Sequence, residues 1–230
     1  MRFAHRAALL VACTLASASA LRAADVSEGI EPGTIAPPNV RPVRVGGPRQ
    51  AELDAGPAWR AFRARYGAWR ALWNEVTGTP HRALGPSIPL AGVADDAAAM
   101  DRAVRAFVEG NRGIFGTPTL ETVAAERAGR VWYVRYRQTL GGVPVLFADW
   151  EFRVGENGRL MMFGADAHSP RGMVSTTPTL VRGVAREAAT RGLRYRAEID
   201  RVDDGGMWLV PYTTAAGLDY RLAYEERVHV

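Results

Sequence analysis

The chain has 230 residues, 47% of them apolar and 23% charged, which fits one or two folded domains and excludes wholesale disorder. Its 29 basic residues are all arginine, and a formal net charge of +5 is too small for a nucleic-acid-binding signature. No apolar run reaches the roughly 18 residues needed to span a bilayer, so no transmembrane segment is expected. A single cysteine excludes an intrachain disulfide.

The first 20 residues read as a signal peptide. Arg2 and Arg6 form a basic start, residues 7–15 an apolar run, and Ala18-Ser19-Ala20 the small residues of a cleavage site. The chain is therefore expected to be secreted, periplasmic or extracellular. The alternative is a lipoprotein anchored through Cys13, read from Leu10-Val11-Ala12-Cys13. Cleavage near Ala20 removes Arg2 and Arg6 and lowers the formal charge from +5 to +3.

Residues 21–57 follow as a leader in which Pro32, Pro37, Pro38, Pro42, Pro48 and Pro57 alternate with glycines, so an extended or mobile segment is expected. Between 58 and 92, aromatic residues crowd from Trp59 to Trp73. The alternation of Trp69, Ala71 and Trp73 toward Thr77-Gly78-Thr79-Pro80 favours a strand and hairpin over residues 68–84.

A helix is predicted after Asp95 or Asp96, with Ala97, Met100, Val104, Phe107 and Val108 on one face and Gly110, Asn111 and Gly113 at its end. Three strands follow. The first covers 131–138, and Gly141-Gly142 marks the turn after it. The second starts near Leu146, with Leu146, Ala148, Trp150, Phe152 and Val154 facing one way and Phe147, Asp149, Glu151 and Arg153 the other. The third covers 159–167, after the turn Asn157-Gly158. A second unit over 178–230 is expected to repeat this order. Thr177 would cap a helix with Pro178 at its first position and Leu180, Val181, Val184, Ala188 and Leu193 on one face. Strands over 194–202, 206–212 and 218–230 would be separated by turns at Asp203-Asp204-Gly205-Gly206 and Ala215-Ala216-Gly217. The predicted class is thus α+β, a helix packed on an antiparallel sheet, repeated twice.

The search for chemistry yields little. His5, His81, His168 and His229 lack the spacing of a metal-binding helix, and no nucleophile elbow or phosphate loop occurs. Asp200, Asp203 and Asp204 loosely mimic a calcium loop. Val202 and Pro211 stand where ligands belong, so a hairpin turn is expected instead. Asp149 and Glu151 share a strand face as catalytic carboxylates do, but Arg135, Arg137 and Arg153 on adjacent strands favour a solvated charged face. The same arginines with Trp132, Tyr133 and Tyr136 can also be read as a stacking platform for single-stranded nucleic acid. A sheet core plus a charged face explains them equally, and no nucleic-acid partner is expected.

One segment carries more. Val134-Arg135-Tyr136-Arg137-Gln138-Thr139-Leu140-Gly141-Gly142-Val143-Pro144-Val145 resembles the signature of the fungalysin/thermolysin-type propeptide domain. The likeness covers about residues 93–168, from Gly113-Ile114-Phe115-Gly116 through Asp149 to Asn157-Gly158. Residues 178–230 resemble the PepSY-type unit that commonly follows, here expected to be truncated. The resemblance implies the pro-region of a secreted zinc metallopeptidase, an intramolecular chaperone and inhibitor whose partner is the cognate peptidase domain. That domain, with its zinc and possible calcium, is absent after Val230. No catalytic, metal or cofactor residue is then expected in this chain, and the chain itself is not expected to be an enzyme. Gln138, Gly141, Gly142, Val143, Pro144 and Asp149 are the candidate interface residues. The alternative is a freestanding secreted inhibitor or binding module of the same type. Tyr220 to Val230 alternates like a strand that stops without a turn, which favours truncation in this reading.

Overall fold

A computed structural model describes residues 7–12, 40–170, 172–215 and 217–230. The signal-peptide boundary, Cys13, His5 and most of the leader fall outside them. Two short helices open the continuous part, α1 (Pro48–Asp54) and α2 (Pro57–Tyr66), each with its proline in the first turn where no amide hydrogen is required. The leader reading is corrected here, because its last third is helical. Hairpin strands β2 (Arg70–Asn74) and β3 (Thr79–Pro89) come next, close to the expected span of residues 68–84.

Helix α3 (Ala97–Glu109) starts where predicted: the Asp96 carboxylate accepts from the amides of Ala98 and Ala99. Its Met100, Val104, Phe107 and Val108 are buried. After the single turn α4 (Arg112–Phe115) come strands β4 (Thr119–Ala128), β5 (Val131–Leu140), β6 (Val143–Gly155) and β7 (Arg159–Ala165). Strand β4 was not expected. It is an edge strand, exposed along most of its length, so its sequence has little alternation to read. One face of the β2–β7 strands is covered by the helices. There Trp59, Phe62, Phe107, Phe115, Phe152 and Phe163 pack as a continuous ring network, with Trp59 and Phe62 stacked at 5.0 Å.

The second part departs further from expectation. Helix α5 is Arg182–Thr190 with Val181 at its N-cap, not a helix from Pro178. It buries Ala185 and Ala189 and leaves Val181 and Val184 exposed, so the apolar face lies one position from the predicted one. Strand β8 (Arg201–Thr214) runs straight through the expected turn at Asp203–Gly206, which is a bulge opposite Glu225 and Glu226 of β9 (Gly217–His229). Gly205 permits it, since a Cβ there would sit 2.4 Å from Glu225 Cγ. A further strand, β1 (Ala7–Ala12), pairs with β9.

The fold class is therefore corrected. Among the described residues, nine strands join through neighbouring pairs, in the path β1-β9-β8-β6-β7-β3-β2 with β5 and β4 branching from β6. The assembly is a mixed, strand-dominated sheet, because β6 and β8 run parallel, and not a helix-on-antiparallel-sheet unit used twice. The predicted repeat fails because residues 194–200 form no strand and β8 is unbroken, leaving one long hairpin where three strands were expected.

Candidate functional site

The 134–145 signature forms the joint between the two parts of the sheet. Gly141 and Gly142 have φ of 55° and 81°, the successive left-handed conformations of a tight two-residue turn between Leu140 and Val143. Gly141 is also packed, since a Cβ would lie 3.0 Å from Thr176 Cγ2. Pro144 faces Thr139 and lacks an amide hydrogen, and Val145 beside it leaves β5 to pair with Leu209 of β8.

The departure has a clear register. Arg137 faces Asp149 and Thr139 faces Pro144, so four residues of β6 stand opposite Gln138 alone. Phe147 lies in this detour with φ of 66°, the one non-glycine residue at positive φ among the described residues. Gln138 fills the gap. It is 3% exposed, donates from Nε2 to the His168 carbonyl (2.6 Å) and accepts at Oε1 from the His168 amide (2.8 Å). Val143, Val145 and Ala148 then pack on Leu209, with Val174, Met207, Tyr220 and Leu222 around them.

A polar cluster adjoins the joint. Asp166, at the end of β7, is fully buried and accepts from Asn74 Nδ2 (3.0 Å) and bonds His81 Nδ1 (2.9 Å). Arg41 reaches it at 3.7 Å, pairs with Asp149 at 3.4 Å and lies over the Phe147 ring at 5.0 Å. His168 is 1% exposed, with Nδ1 bonded to Tyr220 Oη of β9 (3.1 Å) and no hydrogen-bond partner at Nε2. Burial depresses its pKa to about 4; Asp166 and the Phe147 backbone oppose the shift and Arg41 adds to it. Burial likewise pushes Tyr220 up to about 12, assisted by Asp219.

Of the six candidate residues, Gln138 and Val143 are buried, Pro144 is half-buried, and Gly141, Gly142 and Asp149 are exposed. The last three are open to a partner, whereas Gln138 and Val143 are spent on building the joint. Arg41, Asn74, Phe147, Asp166 and Tyr220 were not among the candidate site residues. Asn74 left a trace, beside a turn whose amides at Val76 and Thr77 its side chain accepts.

The other sequence candidates separate. Glu151 bonds Arg153 (2.7 Å) on the open sheet face, Arg135 pairs with Glu126, and Arg137 lies over the Trp208 ring. Trp132 and Tyr136 are buried on the opposite face from Tyr133, so no shared stacking platform forms. Asp200 binds the Arg196 amide, Asp203 binds His229 and Asp204 binds the Gly206 amide, so the three carboxylates serve different partners. Among the described residues no group of three or more His, Cys, Asp or Glu is placed to hold a metal ion, and no helix is long and apolar enough to cross a membrane. His81 and Asp166 form an oriented imidazole–carboxylate pair, but no hydroxyl or thiol bonds the second ring nitrogen among the described residues.

No protein-family model matches the chain, and no curated protein matches it. Among solved structures it is similar to the Bacillus megaterium YpeB C-terminal domain, with 14% identity and a TM-score of 0.36, over 64% of this chain and 60% of that one. The chain thus spans under two thirds of that domain, and an overlap this loose carries no family assignment. None of these comparisons matches the propeptide family that residues 134–145 resemble.

Proposed function

We propose that the chain is the pro-region of a secreted thermolysin- or fungalysin-like zinc metallopeptidase, acting on its cognate peptidase domain as folding assistant and inhibitor. The observation that carries this reading is the signature at residues 134–145. Its glutamine, paired glycines and Val-Pro-Val run each do structural work where the two sheet parts meet. A two-part surface of this kind suits a module that templates another domain. In this reading the chain has no catalysis of its own and needs no metal; zinc, and calcium where present, belong to the partner. Inhibition is steric, through a strand or loop in the cleft, because cleavage near Ala20 removes Cys13, the chain's one thiol. Gly141, Gly142 and Asp149 are its accessible residues around the joint.

The test is titration of the purified chain against the mature peptidase encoded in the same reading frame or beside it. Tight inhibition, or a several-fold gain in active enzyme when the denatured peptidase refolds with the chain, is expected. Absence of binding, inhibition and refolding gain would replace this reading with that of a freestanding binding module. Chelator-sensitive cleavage of casein by the chain alone would defeat both.

A further inference from the structure

We propose that the joint between the two sheet parts is an acid-released latch, in which proton uptake by His168 unseats the β8–β9 hairpin from the β5–β6 hairpin while the aromatic core stays folded. This goes beyond the pro-region reading and does not depend on which partner the chain has.

The argument starts from position. The His168 main chain is clamped by Gln138 of β5, and its ring crosses the joint to Tyr220 of β9. The ring is buried and its Nε2 has no acceptor. A neutral imidazole tolerates this, with one nitrogen bonded and the other silent. An imidazolium carries two N–H donors and a full charge; the Phe147 carbonyl beside the ring favours it, but burial of the charge outweighs that help.

The charged and titratable groups around the ring do not rescue it. Asp166 favours the protonated form, but its carboxylate is already committed to Asn74 and His81 and faces Arg41. Arg41 disfavours a second cation. Tyr220 is held neutral, and Asp219 beside it is occupied by the Tyr212 hydroxyl and the Tyr220 amide.

The molecule then yields at its weakest seam. The joint rests on a small core of four buried residues, Val143, Val145, Ala148 and Leu209, with half-buried neighbours, on one parallel residue pair and on Arg137 over the Trp208 ring. The first core holds the whole aromatic network. Parting the joint hydrates His168 without disturbing that network, so local opening precedes global unfolding.

The sign follows from the two ring environments. The closed joint titrates near 4, and an exposed imidazole titrates near 6.5. The closed form is fully favoured above about pH 6.5 and loses ground as pH falls. Relative to pH 8, protons favour opening by about 30-fold at pH 5 and by about 300-fold well below pH 4.

Amide hydrogen exchange on the full chain between pH 8 and 5, corrected for intrinsic exchange, tests this. Residues 143–148 and 207–209 should lose about 30-fold in protection while residues 104–108 and 150–154 keep theirs. His168→Gln, which cannot take up the proton, should flatten the joint's pH profile. Tyr220→Phe should raise opening at every pH and preserve the slope. Equal protection of the joint at pH 5 and 8, parallel loss in the core, or a wild-type profile in His168→Gln would overturn the latch. If His168→Gln does not fold, the wild-type and Tyr220→Phe profiles decide alone, and a Tyr220→Phe joint without pH dependence overturns it.

Discussion

Gln138 and His168, thirty residues apart, bond each other as two strands would: the glutamine amide group takes both the amide and the carbonyl of His168. One side chain thus replaces a missing stretch of backbone ladder at the point where β6 turns away to β8. Replacing it with leucine leaves a buried N–H and a buried C=O unpaired, each costing about 1–3 kcal/mol. Gln138→Leu should therefore lose about 3 kcal/mol in urea unfolding, with an unchanged m-value. A loss below about 1 kcal/mol would mean that the joint closes without this clamp.

The two turn glycines should differ. Gly142→Ala meets open space and suffers only its φ of 81°, at about 1–2 kcal/mol. Gly141→Ala adds the clash with Thr176 and should cost about 1 kcal/mol more. The double variant Gly141→Ala with Thr176→Ala should recover that excess in a double-mutant cycle, and a coupling of zero would exclude the contact.

Phe147 sits in a left-handed conformation and receives Arg41 on its ring. Phe147→Gly removes about 1–2 kcal/mol of backbone strain and loses a cation–π contact of about 0.5–1 kcal/mol, so stability should stay within about 1 kcal/mol of wild type. Phe147→Val keeps the strain and worsens it through β-branching, and its midpoint in thermal unfolding should fall clearly. The reverse order would show that the detour is held by the ring and not by the backbone.

Glu226 supplies a second pH dependence. Burial raises its pKa above the ordinary carboxyl value and Asp204 adds to this, against the opposing Arg182 and Arg186. A raised folded-state pKa stabilises the protein below the unfolded value near 4.5, and that contribution is lost as pH rises through the folded value. Glu226→Gln should flatten this decline without unpairing Arg182, which keeps Asp204. Denaturation midpoints at pH 4.5, 6 and 8 measure it, and parallel curves for wild type and variant would refute the assignment.

The aromatic core should be the least tolerant region. Phe163 contacts Phe62, Trp69, Phe107, Phe115 and Phe152, and Phe163→Ala should lose about 3–5 kcal/mol. A smaller loss in calorimetry would mean that the surrounding rings collapse into the space.

Local chemistry was legible wherever it acts over a few residues. Asp96 as a cap, the face of α3, the β2–β3 hairpin, the Gly141-Gly142 turn and the inward series Ala148, Trp150, Phe152 and Val154 all follow from short-range sterics and periodic burial. Residues 134–145 were legible as a turn-forming signature, with an interface role implied only by the resemblance; that they join two parts of a sheet was not. Tertiary structure alone decided the rest. β4 is an edge strand without alternation, and the run Asp203–Gly206 continues β8 as a bulge only because β9 lies beside it. Helix α5 turns Ala185 and Ala189 inward, and Ala189 packs with Val202 of β8 and Val228 of β9. Arg41, the β2–β3 hairpin with Asn74 and His81, and Asp166 meet from three separate segments, and His168 and Tyr220 from two. Their burial, and the pKa shift of His168, come from contacts between segments up to 125 residues apart (Arg41 to Asp166), which no local pattern encodes.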